Sequence, residues 1–254
     1  MENLIDMKDK HVLIIGASSG IGRQTAITLS SLGARLTLAA RSEDKLQAVV
    51  RELHGSGHDY CVCDVSYLSG IEAMIKQAAA ENGLLDGLVY SVGTTMSMPL
   101  QMYKPEKLQK VFDVNFFAFV ECVRQATKKG RFNSGMRIVG VSSVASMKGD
   151  KSHLGYSASK AAMDASVRCI AKELADKKIY INTVAPGMTE TEMVHNYINR
   201  VGADSETVKE QLGRQYLGMI QPEAVAKTIA FLMSPAAEAI TGITLPVDGG
   251  FTTC

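Results

Sequence analysis

Short runs of β-branched and aliphatic residues alternate with longer amphipathic segments along this chain, and no other feature limits its fold so strongly. The runs fall at 11–15, 35–39, 60–63, 87–90, 137–141, 179–184 and 244–247. Helix-length segments separate them, which is the pattern of βαβ crossovers joining parallel strands. The expected fold class is therefore α/β: a doubly wound, seven-stranded parallel sheet with helices on both faces. No internal repeat or Pro/Gly/Ser linker interrupts the 254 residues, so a single domain, 1–254, is expected.

Local signals refine the outline. Ser42 stands where a helix cap should be, ahead of Leu46, Val49, Val50 and Leu53, and Gly55 marks the stop. Ser69 with Glu72 has capping-box spacing, and Pro222 suits a first helical position. The stretch 189–216 fits neither period cleanly, which predicts a mobile insertion over one end of the sheet, a substrate lid.

Charge and composition exclude several classes. Lys plus Arg (27) nearly balances Asp plus Glu (26), so no chain-wide field exists to hold a nucleic acid. No apolar run reaches the roughly 18 residues that a membrane span needs, and the charged start, Met1 to Lys10, does not read as a leader. A cytoplasmic protein is expected. Five cysteines, at 61, 63, 122, 169 and 254, include no C-x-x-C pair, which predicts reduced thiols and no metal site. Cys61 and Cys63, two apart in a strand-like run, share a face and read as core.

The first run leads into Gly16-Ala17-Ser18-Ser19-Gly20-Ile21-Gly22 and then an amphipathic segment. Glycines permit a tight turn and bring a pyrophosphate close to a helix start, where free N–H groups and the helix dipole favour negative charge. The turn reads as a phosphate cradle or as a structural turn between strand and helix. No Lys follows it, so it is not a Walker loop. The second run ends Ala39-Ala40-Arg41-Ser42, with a cation where an NAD-specific chain usually carries a carboxylate for the ribose 2′-hydroxyl. Arg41 can hold a 2′-phosphate bidentately or stand as a solvated residue at the loop; with the acid absent, NADP(H) is predicted.

Tyr156 and Lys160 are four apart, one turn along one face of a helix. Bringing a phenol from pKa about 10 to neutrality requires about 4 kcal/mol, the order that one cation at about 4 Å supplies at an effective dielectric of about 20. Alone the pair also suits a core tyrosine beside a lysine that reaches to solvent; as a site, Lys160 is expected to lower the Tyr156 pKa. Ser143 follows the fifth strand, and Asn115 is a polar residue in an apolar helical stretch.

Together these residues resemble the short-chain dehydrogenase/reductase family over essentially the whole chain, and among its members the 3-oxoacyl-acyl-carrier-protein reductases. The resemblance implies a Rossmann-type domain and a catalytic tetrad of Asn115, Ser143, Tyr156 and Lys160. It implies cofactor contacts at Gly16, Ser18, Ser19, Gly20, Ile21 and Gly22, at Arg41 and Ser42, and at Asp64 and Val65 beside the adenine. Further contacts are implied at Gly93, Asn115, Tyr156 and Lys160, and at Pro186, Gly187, Thr189 and Thr191 beside the nicotinamide. Asp248-Gly249-Gly250 matches the family's carboxyl-terminal motif. Two positions depart from its pattern: Ile15 stands where a Thr is usual, and Ser91-Val92-Gly93 replaces Asn-Ala-Gly.

The expected reaction is hydride transfer from NADPH to a ketone, with Ser143 holding the carbonyl, Tyr156 giving the proton and Asn115 holding a relay water. A 3-oxoacyl thioester, on an acyl carrier protein, is the expected substrate. Sugar, steroid or other small ketones and alcohols, and a non-catalytic NADP-binding regulator, remain open on the residues alone. Lys128, Lys129 and Arg131, with Lys177 and Lys178, follow two helices and suit an acidic carrier or merely the helix dipole. Met96, Met98, Met102, Met147, Met188, Met193 and Met219 fall in loops expected around the substrate. Ala158, Ala161, Ala162 and Ala165 allow close helix packing, and the resemblance implies a homotetramer.

Overall fold

The structure, a computed structural model, describes residues 4–202 and 204–253. Cys254 and the first three residues of the charged start lie outside them. Seven strands form one sheet: β1 (His11–Ile15), β2 (Arg35–Ala40), β3 (Asp59–Val62), β4 (Leu85–Tyr90), β5 (Phe132–Val141), β6 (Tyr180–Pro186) and β7 (Thr244–Val247). Every pairing is parallel, in the order β3-β2-β1-β4-β5-β6-β7. The order reverses direction between β1 and β4, which opens a crevice at the carboxyl ends of the strands, where doubly wound sheets bind ligands.

Alternation along each strand divides the core in two. Leu13, Ile15, Leu88, Tyr90, Ile138 and Ile181 join one cluster with α3 (Ile71–Glu81), α5 (Ala118–Ala126) and α6 (Leu154–Leu174). Val12, Ile14, Val89, Val139 and Val184 join the other with α1 (Gly20–Ser31), α2 (Glu43–Glu52) and α9 (Pro222–Met233). Period-2 side chains buried on both faces leave nearly continuous apolar strands, which is why the strands are legible in the sequence.

Several local expectations are corrected. β5 begins five residues earlier than its apolar run because Leu85 pairs with Phe132 across an irregular register around Gly135, at φ +87°. The Ser69–Glu72 capping box does not form, since Ser69 lies in a 3-10 turn and Gly70 is the residue that precedes α3. Ser42 does precede α2, without a side-chain capping bond. Pro222 opens α9 as expected.

The stretch 189–216 is not irregular. It holds α7 (Glu192–Val201) and α8 (Glu206–Gly213). Thr191 Oγ1 accepts from Val194 N (3.4 Å) and Ser205 Oγ from Val208 N (3.3 Å), so each short helix starts at a capping hydroxyl. Between α4 (Pro105–Phe112) and α5 the chain makes one π-helical turn, Asp113–Phe117, with Asn115 fully buried within it.

Candidate active site

Loops from the carboxyl ends of six strands enclose a cavity of about 840 Å³. The glycine turn after β1 forms its base. Gly16 adopts φ +88°, and a Cβ there would stand 2.7 Å from Ser91 O. Gly22 does not reach the cavity; a Cβ on it would lie 2.1 Å from Gly16 O, so its role is to let α1 close onto the turn. Backbone bonds hold the turn despite the Ile15 and Ser91 departures: Gly16 N donates to Ala39 O (2.7 Å) and Ser91 N to Ile15 O (2.8 Å). Ile15 itself is buried in the core.

Arg41 and Ser42 line the cavity after β2, and Asp64 and Val65 after β3. Burial, the largest influence on Asp64, raises its pKa, yet the Ser66 N–H and hydroxyl and the Arg41 charge together bring it below the usual value. Lys45, in the first turn of α2, also lines this end; the sequence reading missed it, although its i+4 spacing from Arg41 was visible.

Three strand spacings away, about 14 Å across the sheet, β5 delivers Ser142 and Ser143 to the same cavity. Ser143 Oγ accepts from Ala145 N (3.2 Å) and shares a hydrogen bond with the Tyr156 hydroxyl. Ser142 Oγ is buried without a partner among the described residues, an orphaned polar atom in the wall. Lys160 is 2% exposed, donates from Nζ to Val141 O (2.7 Å), and stands 6.0 Å from the centre of the Tyr156 ring.

The pKa pattern differs from the expectation. Burial pushes the Tyr156 phenol up, opposed by the Ser143 hydrogen bond, and no depression by Lys160 is found. Lys160 Nζ donates to Val141 O rather than to the phenol, and burial also lowers Lys160 itself to about 8, against which Asp164 pulls upward. A neutral phenol beside a charged ammonium is the protonation state needed to give a proton to an alkoxide. Asp164, held by Thr183 Oγ1 at 2.8 Å, was missed in the sequence, although Tyr156, Lys160 and Asp164 recur every four residues on one helix face.

Asn115 does not face the cavity. Its amide donates to Thr94 O and Ser159 Oγ (both 2.9 Å), and its Oδ1 accepts from Thr94 N (2.8 Å). With both amide hydrogens engaged, the side chain braces the Thr94 loop rather than donating to a relay water. Pro186, Gly187, Thr189 and Thr191 line the cavity after β6, as do Ser18, Ser19, Gly20, Ile21 and Gly93 at its base. Of the loop methionines, Met96 and Met193 line it.

The basic groups after the helices are partly committed elsewhere. Arg131 is buried, donating to Gln125 O, Gln125 Oε1 and Glu72 Oε1, and Lys128 lies 3.6 Å from the same carboxylate. Glu72 is held at about 2 by Arg131 first and then by Lys76, with Lys128 adding less.

The cavity fits a dinucleotide by its own chemistry: a backbone cradle closed to any Cβ, two cations at one end and an orphaned hydroxyl among polar donors at the other. Residues 16–252 match the protein family described as Enoyl-(Acyl carrier protein) reductase. The 3-oxoacyl-acyl-carrier-protein reductase of Synechocystis sp. is 34% identical over 242 residues, 94% of this chain and 95% of that protein. A crystal structure of actinorhodin polyketide ketoreductase with NADPH matches with a TM-score of 0.87 at 29% identity, covering 96% of this chain and 98% of that one. A 7α-hydroxysteroid dehydrogenase complexed with NADH and 7-oxo glycochenodeoxycholic acid matches with a TM-score of 0.91 at 27% identity, covering 98% and 97%.

Proposed function

The chain belongs to the short-chain dehydrogenase/reductase family and is an oxidoreductase, and from that premise we propose that it reduces the ketone of a 3-oxoacyl thioester, presented on an acyl carrier protein, with NADPH. One observation carries the reading: the Ser143 and Tyr156 hydroxyls converge beside Lys160 in a cavity that also holds Arg41 and Lys45. Two donors meeting at one point suit a carbonyl oxygen on which charge develops. Arg41 and Lys45 suit a 2′-phosphate. The Synechocystis relative supplies the substrate class.

NADPH, when bound along the glycine turn, supplies the hydride. Everything else falls to the chain. Ser143 holds the carbonyl oxygen, and Tyr156, kept neutral by burial, gives it a proton as the alkoxide forms. Lys160 keeps positive charge beside the phenolate left behind. Asn115 acts as a positioning residue through the Thr94 loop. Because the donors are fixed before charge appears, they stabilise the transition state more than the bound ketone.

Ala158, Ala161, Ala162 and Ala165 are absent from the buried residues of α6, unlike Ala171 farther along it, so their small-residue face is not closed against the sheet, and β7 is one edge of the sheet. Both features support a homotetramer. Cys61, Cys63, Cys122 and Cys169 are free, which suits a reducing cytoplasm. Among the described residues no helix is long and apolar enough to cross a membrane.

The test is NADPH oxidation with an acetoacetyl thioester, a crotonyl thioester, a sugar ketone and a steroid ketone. The acetoacetyl thioester is turned over at least tenfold faster (kcat/KM) than the others. A faster steroid or crotonyl reaction would replace the substrate class.

A further inference from the structure

Asp164 is 6% exposed, and the partner of its carboxylate is a hydroxyl rather than a cation: Thr183 Oγ1 donates to Oδ1 at 2.8 Å. A carboxylate so buried is costly. Apolar side chains such as those of Met163 and Val167, buried beside it on α6, would fill the place without that cost. Thr183, fully buried on β6, also lies 2.9 Å from Thr244 Oγ1 on β7. A carboxylate only accepts, so the Thr183 hydrogen goes to Asp164 and the Thr244 hydrogen to Thr183. Two hydroxyls aligned head to tail thus fix the negative charge against the sheet.

That charge stands one turn beyond Lys160 on the same face of α6, as Tyr156 stands one turn before it. Lys160 Nζ donates to Val141 O and not to Asp164, so the two charges act across the interval of about 6 Å that separates Cβ atoms so spaced. The other groups that face the ammonium are neutral. From β5 it meets Val141 O, and from the loop after β4 it meets Gly93, where a Cβ would lie 3.5 Å from Nζ. On its own helix the Tyr156 ring centre stands 6.0 Å away. Of the charged groups that line the cavity, Arg41, Lys45, Asp64, Lys110, Asp113 and Glu192, none offsets the burial of the lysine as Asp164 does.

We propose that Asp164 is a positioning residue of the reaction, a buried negative charge that the Thr183 and Thr244 hydroxyls hold in place and that keeps the Lys160 ammonium charged beside Tyr156. Asp164 does not line the cavity, so it acts through Lys160.

The inference rests on the reading of Tyr156 as proton donor and Lys160 as its cation, and two measurements on the full chain keep their failures apart. The first needs no substrate: urea unfolding of wild type, D164N, K160M and D164N/K160M at pH 6 and pH 10. At pH 6, D164N lowers the folding equilibrium constant about tenfold more in wild type than in K160M, the equivalent of one unit in the Lys160 pKa. At pH 10, above the Lys160 value of about 8, the lysine is neutral in the fold and that difference vanishes. D164S, which removes the charge at smaller volume, gives the same coupling in the same cycle. The second measurement is the pH dependence of kcat for reduction of the acetoacetyl thioester. The midpoint of its alkaline fall drops by about one unit in D164N and stays within about 0.3 unit of wild type in D164E, which restores the charge.

A coupling that is absent at pH 6, or equal at pH 6 and 10, overturns the inference and leaves Asp164 as a fastening between α6 and β6. An alkaline midpoint that D164N does not move overturns the role in the reaction. Coupling at pH 6 without turnover of any ketone overturns the reductase reading and upholds the charge pair.

Discussion

Replacing Lys160 by Met separates chemistry from stability, because the ammonium serves one at the expense of the other. Its pKa is lowered from 10.5 to about 8, so holding it charged in the fold near neutral pH costs about 3 kcal/mol relative to the unfolded chain. Met fills the same space without that cost, but leaves Val141 O, now bonded at 2.7 Å, without its donor, a loss of about 1 kcal/mol. The net expectation for K160M at pH 7 is a gain of about 2 kcal/mol, or about 5 °C in Tm for a chain of this size, together with loss of reductase activity.

The sign in pH follows from linkage. Between about pH 8 and 10.5 the unfolded state keeps a proton on Lys160 that the folded state has released, so wild-type stability rises with pH relative to K160M and the gap closes. Wild-type reduction falls above about pH 8 as the ammonium is lost. Urea unfolding of both proteins at pH 7 and 10, each normalised by its own m-value, measures the difference. A K160M protein less stable than wild type at pH 7, with a gap independent of pH, would refute the claim that burial dominates at this lysine.

Two other substitutions test the cofactor end. R41D weakens NADPH by at least tenfold while changing NADH less than threefold, since only NADPH carries a 2′-phosphate; fluorescence titration reads both, and equal losses would remove Arg41 from that role. G22A forces a Cβ to 2.1 Å from Gly16 O, so it displaces the turn and weakens both cofactors alike; unchanged affinity for either would mean that α1 closes on the turn less tightly than described.

The sheet was legible because its strands are buried on both faces, which leaves runs such as Val12, Leu13, Ile14 and Ile15 with no polar interruption. What was missed is short or local. α7 carries Val194, Tyr197, Ile198 and Val201 in a helical period, but its ten residues hide the pattern unless Thr191 is recognised as the cap. Among the site residues, Ser143, Tyr156 and Lys160, singled out by spacing and assigned by the family resemblance, meet in one cavity. Spacing could place Lys160 beside Tyr156, but not the burial that moves the lysine down while holding the phenol up. The side chain of Asn115 turned away from the cavity because its amide completes the Thr94 loop, a partner 21 residues distant that no local pattern announces. Arg131 read as a cation for an acidic carrier or for the helix dipole, yet Glu72, 59 residues away, holds it in the protein.

The account depends most on the Tyr156 proton. Single-turnover oxidation of NADPH by Y156F with an acetoacetyl thioester, alongside the NADPH dissociation constant, isolates it. The rate should fall by about 10³ or more, the worth of a positioned general acid, with the dissociation constant within threefold of wild type. A rate within tenfold of wild type would contradict it.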